Sequence, residues 1–431
     1  MRTSLLIRSF ACLGACVASG VGLPVRQSAG FTFRPLLESS PHSLTVQEPR
    51  VSGAVVTITG GDSRRPTTPF TFEWGDGSTS ESFFPARHEY SATDRDYTVT
   101  VTAHYRPGQD SRSVRVRFRP PVYEFRRDPR IPARVCVASA PVELGSTMTG
   151  YKPPSNLKGF ADGELSVPRA AIEYALDVGH FLQTDFCNGD IDLSGGDGQV
   201  VLSQPGFGGA FSLWFTKPIS MGANPSYLSS LAGISSLYHE MGHNLTLNSP
   251  ARYRFGGKTD GPFNTVVSET LAQIMQHATA WEILNHPARY GLGPEIADGL
   301  TKSAEVSFGI TARAYRDYVA QGCPFTTRQI PGRQGDPTFG TFMSLAYVFV
   351  EQAEDRRAFR APLKRMMALL QTFNERDHRR YRVAENDAFR ATFMVAAMSH
   401  GFGEDLRPRF RQLKFALDDA VYAEMMARMR P

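Results

Sequence analysis

His239, Glu240 and His243 have the types and the spacing to do chemistry. Residues four apart on a helix share one face, so the two imidazoles of His239-Glu240-Met241-Gly242-His243 can grip one cation together. Glu240 follows the first imidazole directly, where a carboxylate can take a proton from a water polarised by that cation. The donor types point to one Zn2+ ion and to hydrolysis. With ten His among 431 residues, chance places H-E-x-x-H in a chain of this length about once in a hundred. A catalytic zinc ion takes three protein ligands and keeps one position open for water. Glu269, 26 residues beyond His243, is read as the third ligand. The plain alternative is a solvated Glu near a helix N-terminus, favoured there by the helix dipole.

Two helices must position these groups. Asn224-Pro225 is a start signal, and Tyr227, Leu231, Ile234, Tyr238, Met241 and Leu245 then form one apolar stripe. His239 and His243 lie at the edge of that stripe, and the helix should run out near Asn248, before Pro250. A loop containing Arg252 and Gly261 leads to a return helix over residues 264–277, with Val267, Leu271, Ile274, Ala278 and Trp281 on its apolar side. Glu269 sits beside this second stripe.

His-Glu-Met-Gly-His-Asn followed by Ser268-Glu269-Thr270 resembles the gluzincins, and among them the enhancin-like, mucin-degrading metallopeptidases. The resemblance is strongest over residues 198–285; Met398-Ser-His-Gly-Phe-Gly-Glu-Asp-Leu406 and Phe410 look like the family's closing helices. It implies His239, His243 and Glu269 as zinc ligands and Glu240 as general base. One departure stands out. Many gluzincins carry an acidic residue shortly after the ligand Glu, supporting the first His; the position four after Glu269 is Gln273, which leaves the partner of His239 unidentified.

The chain is long enough for two or three domains; 41% apolar and 21% charged residues are ordinary for a globular protein. Its net charge of +5 comes from scattered Arg rather than a dense run, and no nucleic-acid module is visible. Residues 1–23 read as a signal peptide: Arg2 and Arg8 precede an apolar, small-residue run too short and Gly-rich for a membrane span. Leu13-Gly14-Ala15-Cys16 resembles a lipobox, so export leads either to simple cleavage or to a membrane tether through a lipidated Cys16. The expected location is extracellular, or an outer-surface or periplasmic lipoprotein. Cys136, Cys187 and Cys323 then remain; any one pair could bridge, and none sits in a C-x-x-C zinc motif.

The expected fold class is multidomain: an N-terminal immunoglobulin-like β-sandwich, then an α+β, zincin-like catalytic domain with a mostly helical C-terminal part. Residues 24–42 read as a Ser/Pro/Gly-rich tether. Residues 43–119 have β texture, with alternation over 51–58 and 97–105. Phe70-Thr-Phe-Glu-Trp-Gly-Asp-Gly-Ser78 and the later His88-Glu-Tyr90 resemble the polycystic-kidney-disease repeat, with Phe72 and Trp74 in swapped order. That resemblance implies a spacer or binding accessory. Residues 120–134 read as a Pro/Arg-rich linker, and 135–431 as the metallopeptidase domain. Within it, helices are expected over 167–183, 311–320, 341–354, 360–373 and 387–400, and strands over 199–203 and 211–216. The second strand is a candidate edge for an extended substrate, against the plain reading of a hairpin. Asp190-x-Asp192-x-Ser194-Gly195 imitates half an EF-hand loop, but the twelfth position is Val201, so a polar turn competes with a calcium site.

The residues point to peptide hydrolysis with Glu240 as proton carrier. Tyr315, Tyr318, Tyr347, His277 and His400 are candidates by type for stabilising the oxyanion, each competing with an ordinary packing role. Gluzincin aminopeptidases place a Gly-x-Met-x-Asn motif with an acidic residue ahead of the zinc helix. Met221-Gly-Ala-Asn224 lacks the carboxylate, which favours an endopeptidase. The competing classes are that aminopeptidase, an inactive surface adhesion or binding protein, and an accidental pentad in a helical core. A protein or glycoprotein substrate, extracellular and of the O-glycosylated kind, and a monomeric chain are expected.

Overall fold

The computed structural model describes residues 44–137 apart from 63, 65, 66, 106, 107 and 120, and then 165, 167–189, 199–204, 210–211, 219–222, 231–247, 265–326, 337–355, 357–382 and 386–429. The chain divides into two compact units, with the boundary between Tyr123 and Glu124. The signal segment, the tether, the Asp190 loop and Asn224-Pro225 fall outside the described residues.

The N-terminal unit is built from antiparallel strands. β1 (Leu44–Val46) pairs with β4 (Gly60–Asp62). β2 (Arg50–Ser52), β3 (Val55–Ile58) and β7 (Ala86–Glu89) form a three-stranded sheet. β5 (Phe70–Glu73), β6 (Thr79–Ser82), β8 (Tyr97–Tyr105) and β9 (Gly108–Val116) form a four-stranded sheet in the order β6-β5-β8-β9. The alternation of β8 is the one its sequence announces: Tyr97, Val99, Val101 and Ala103 are buried, with Thr98 exposed between them. They share a core with Val56, Ile58, Phe72 and Trp74. The single strand expected over 51–58 is a hairpin instead, because Gly53 adopts φ +60° between β2 and β3.

The Gly-Asp-Gly turn behaves as its composition requires. Gly75 and Gly77 have φ of +80° and +93°. Between them the Asp76 carboxylate accepts from the Ser78 amide at 2.9 Å, from the Ser78 hydroxyl at 2.5 Å and from His88 Nε2 at 2.7 Å. Burial pushes the Asp76 carboxyl up, but the Ser78 and His88 hydrogen bonds outweigh it and hold it at about 2. Ser, His and Asp meet here without forming a nucleophile relay, since one ring nitrogen of His88 faces both Asp76 and, at 3.3 Å, Ser78. The cluster clasps the turn.

The second unit is mostly helical. Its sheet has the order β10 (Val135–Val137), β11 (Gln199–Gln204), β13 (Ile219–Gly222), β12 (Ala210–Phe211). The first three strands run parallel and β12 is an antiparallel edge. The helices are α1 (Arg169–Phe186), α2 (Ile234–Leu247), α3 (Thr265–Asn285), α4 (Pro294–Ala320), α5 (Pro337–Asp355), α6 (Arg360–Gln371), α7 (Glu375–Arg380), α8 (Asp387–Phe402), α9 (Arg407–Gln412) and α10 (Asp419–Ala427). α3 lies between α2, α4 and α5, and α2 also packs on α1 and lies against β12 and β13. Of the residues expected as strand 211–216 only Phe211 is described; it belongs to β12, the last strand of this sheet among the described residues.

Two expectations meet a different outcome. The helix expected over 311–320 begins at Pro294, with Pro at its first position and Glu295 in its first turn. Gly299 and Gly309 lower helix propensity ahead of Thr311, and at Gly299 tertiary packing overrides it: a Cβ there would stand 2.6 Å from Leu231 Cβ. The stretch read as a linker is docked from Glu124 onward. Arg126 and Gly291 pair through the backbone, as do Gly293 and Glu124. Asp128 donates its amide to the Tyr174 hydroxyl at 2.7 Å. The buried Asp177 carboxylate accepts from the amides of Arg134 and Val135. Cys187 and Cys323 are unbridged, buried thiols.

The C-terminal turn of α5 carries an electrostatic load. Burial, then Asp355, then Glu351 push the Glu354 carboxyl up to about 7. Its folded-state value lies above the unfolded value of about 4.3, so its contribution is complete below that pH and is lost as pH rises through the folded value. Glu354→Gln should therefore melt above wild type at pH 8, with the gap closing toward pH 4.5. Thermal melts of both proteins across that range check the sign.

Candidate metal centre

α2 presents two imidazoles to one point because His239 and His243 are one helical turn apart. Their ring centroids are 4.7 Å apart with the planes at 85°. α3 supplies the carboxylate: Glu269 lies in its second turn. Close approach of the two helices depends on Gly242. A Cβ there would stand 2.9 Å from Ala272 Cα and 3.1 Å from Met275 Cβ. The absence of a side chain on the ligand helix lets the carboxylate helix come near enough.

His239 Nε2 is 3.2 Å from Glu269 Oε2, and His243 Nε2 is 3.6 Å from the same oxygen. One ligand atom from each of the three residues can be chosen so that all lie within 4.8 Å of one another. An ion with tetrahedral bonds of about 2.0–2.1 Å sets its ligand atoms roughly 3.3 Å apart. The three residues therefore fit a metal ion in number, in donor chemistry and in spacing. They are 2%, 2% and 3% exposed, so all three polar side chains are held out of water.

Burial alone would raise the Glu269 carboxyl. The positive charges of His243 and His239 and the hydrogen bonds from both rings outweigh burial and hold it below the usual carboxylate range. The group is an anion set to meet positive charge, whether on two imidazoles or on a cation.

Ser268 completes one side of the centre. Its hydroxyl is 2.8 Å from His243 Nδ1 and leaves Nε2 facing Glu269. The sequence reading gave Ser268 no role. The signal was available: a hydroxyl beside a ligand on a helix that packs against the second His. Behind Glu269 the same face of α3 continues into Gln273 and His277. Gln273 Nε2 is 2.9 Å from His277 Nε2 and 3.0 Å from Thr311 Oγ1 of α4. Burial, then the charge of His239, lowers the His277 imidazole to about 3, so it is neutral.

Glu240 is 5% exposed and follows His239 on α2. It lies outside the trio of grouped ligand atoms. The structure gives the side chains named by type for an oxyanion the following surroundings. Tyr318 donates to the Leu413 carbonyl at 2.9 Å. Tyr347 stacks on Tyr315 at 4.1 Å, and Arg409 donates to the Tyr315 hydroxyl. His277 belongs to the Gln273 and Thr311 network. His400 lies in the last turn of α8, where its backbone carbonyl accepts from the Gly403 amide.

No family model, no curated protein and no solved structure matches the chain. Among the described residues no helix is long and apolar enough to cross a membrane.

Gly242→Ala should force α2 and α3 apart. The expected cost is about 1–3 kcal/mol of stability, the usual range for an added methyl in a packed core. Denaturant titration of the variant against wild type measures it.

Proposed function

We propose that this chain is a zinc-dependent endopeptidase with His239, His243 and Glu269 as metal ligands and Glu240 as general base, similar to the gluzincins and their enhancin-like branch. The observation that carries the reading is the meeting of three buried ligand groups from two helices, with a carboxylate next in sequence to the first of them. Zinc, when bound, supplies a Lewis acid that lowers the pKa of water toward ~7 and polarises a carbonyl.

The side chains account for the remainder. The Glu240 carboxylate takes a proton from the attacking water and hands it to the nitrogen of the leaving amine. His239 and His243 would hold the ion through Nε2. Ser268 holds the second ring in place. Glu269 contributes the one negative charge of the ligand set. Among the described residues β12 ends the sheet beside α2, a place that suits an extended peptide, which would add a strand through its backbone.

In this reading the β unit acts as an immunoglobulin-like spacer or binding accessory, of the polycystic-kidney-disease kind. The chain works outside the cell as a monomer, free or tethered through a lipidated Cys16, on extracellular protein or glycoprotein. Calcium at the Asp190 loop has no support among the described residues.

Glu240→Gln should lower turnover of a protein or mucin substrate by roughly 10²–10⁴-fold, the range for losing a general base. Zinc content by mass should match wild type. Unchanged turnover in that variant removes Glu240 from the mechanism. A wild-type protein that holds zinc yet cleaves neither bare nor glycosylated proteins favours a binding role instead.

A further inference from the structure

The Arg residues form no dense run, yet they gather toward the C-terminus. Sixteen Arg and Lys stand against nine Asp and Glu after residue 355, so this part carries more than the +5 of the whole chain. The closest grouping is at α7. Arg376, Arg379 and Arg380 lie three and four residues apart and share one side of that helix, and Arg382 follows its end. All four are exposed. A capping box between Asn374 and Asp377 fixes the start of the helix.

The described carboxylates of α7 and α10 are committed elsewhere. Asp377 is 5% exposed and receives both terminal nitrogens of Arg428 at 2.8 Å. Glu424 receives Arg380 at 2.7 Å and 3.1 Å. Asp419 receives Arg407 and Arg411 at 2.6 Å. Among the described residues no carboxylate pairs with Arg376 or Arg379. The surroundings narrow the partner. A membrane surface calls for an apolar anchor beside the charges. The large apolar side chains exposed among the described residues, Val51, Phe83, Val122 and Val319, all lie outside α7 and α10. Single-stranded nucleic acid calls for an open aromatic platform. Tyr381, the ring of this segment, already stacks on Phe389 at 4.3 Å and has the Arg380 guanidinium over it at 5.0 Å. What the face offers is a close group of forks, each matched to two oxygens of one anion.

We propose that this face of α7 is a docking surface for a sulfated polysaccharide, held by Arg376, Arg379 and Arg382 with Arg380 beside them. Sulfate esters on successive sugars supply closely spaced, permanently ionised groups, the complement of four Arg within seven residues. The surface uses none of the metal-centre residues and stands without the metal reading. It would hold the chain on a charged glycan layer whatever reaction the centre performs.

The test uses the full chain and heparin as the probe, titrated at several salt concentrations. Wild type should bind heparin with or without a chelator. Arg376→Ser with Arg379→Ser should bind roughly 30-fold more weakly at physiological salt, each charge having its usual worth beside an anionic surface. The slope of log K against log salt should fall by roughly 1.5. Arg376→Lys with Arg379→Lys keeps both charges and should keep the slope. Arg50→Ser with Arg87→Ser removes equal charge from exposed positions of the β unit and should leave binding unchanged. In wild type, heparin should also shield Arg376 and Arg379 from a dicarbonyl reagent, a measurement that decides the matter even where the Ser pair fails to fold. A folded wild type that does not bind heparin, wild-type affinity in the Arg376 and Arg379 Ser pair, or equal losses in the two Ser pairs overturns the proposal. So does loss of binding on chelation, unchanged dicarbonyl reactivity under heparin, or binding of anionic vesicles or DNA as tight as that of heparin. A wild type that binds heparin and takes up no Zn2+ overturns the metal reading alone.

Discussion

A carboxylate and two imidazoles packed together at a few per cent exposure are the constraint from which the helical unit takes its form. Removing an unpaired carboxylate from water costs several kcal/mol, so Glu269 can sit there only opposite positive charge or strong donors. The 3.2 Å and 3.6 Å separations from the two Nε2 atoms supply that. They also demand that α2 and α3 run very close, and the bare backbone at Gly242 against Ala272 permits it. A similar economy operates on the other side of α2. A Cβ on Gly179 would strike the Tyr238 ring, and the Tyr238 hydroxyl instead reaches the Ala175 carbonyl at 2.9 Å. The ligand helix is gripped between two neighbours at glycines.

α3 is the unusual helix in this arrangement. Val267 to Ala280 is buried at every position, so it has no solvent face on which to put polar residues. Ser268, Glu269, Gln273, Gln276, His277 and Thr279 are all buried with it. Three of them, at 269, 273 and 277, repeat every four residues and so form one seam along the helix. α4 answers with Ser307 and Thr311, also four apart and both buried. The seam runs from an ionised Glu269 at the candidate metal site to the amide of Gln273 and a neutral His277 further along.

The pentad, the second helix and Glu269 were legible because each follows from local spacing. The end of α2 at Leu247 and the residues of β8 were read closely for the same reason. The seam was not. A Gln or His inside an amphipathic pattern reads as the solvated face, and only the packing of α4 and α5 around α3 turns that face inward. The start of α4 was hidden by Gly299, whose low helix propensity is overridden by contact with Leu231. Gly53 split a strand by a local backbone angle that alternation of residue types does not encode.

The Pro/Arg-rich stretch before β10 shows how composition misleads when burial lies elsewhere in the sequence. Its prolines and arginines suggest a spacer, yet its backbone donor at Arg134, like that of Val135 at the start of β10, ends on Asp177, and that at Asp128 on Tyr174, both acceptors within α1. Asp177 is 1% exposed and also faces Arg127 at 2.8 Å. A carboxylate buried to this degree exists to receive such donors, since it has little else to offset its desolvation. The consequence reaches the centre. These bonds fix β10 against α1, β10 sets the register of β11, β11 that of β13, and β13 carries the β12 edge beside α2. The segment that reads as a linker leads directly into the first strand of the sheet beside the candidate metal site.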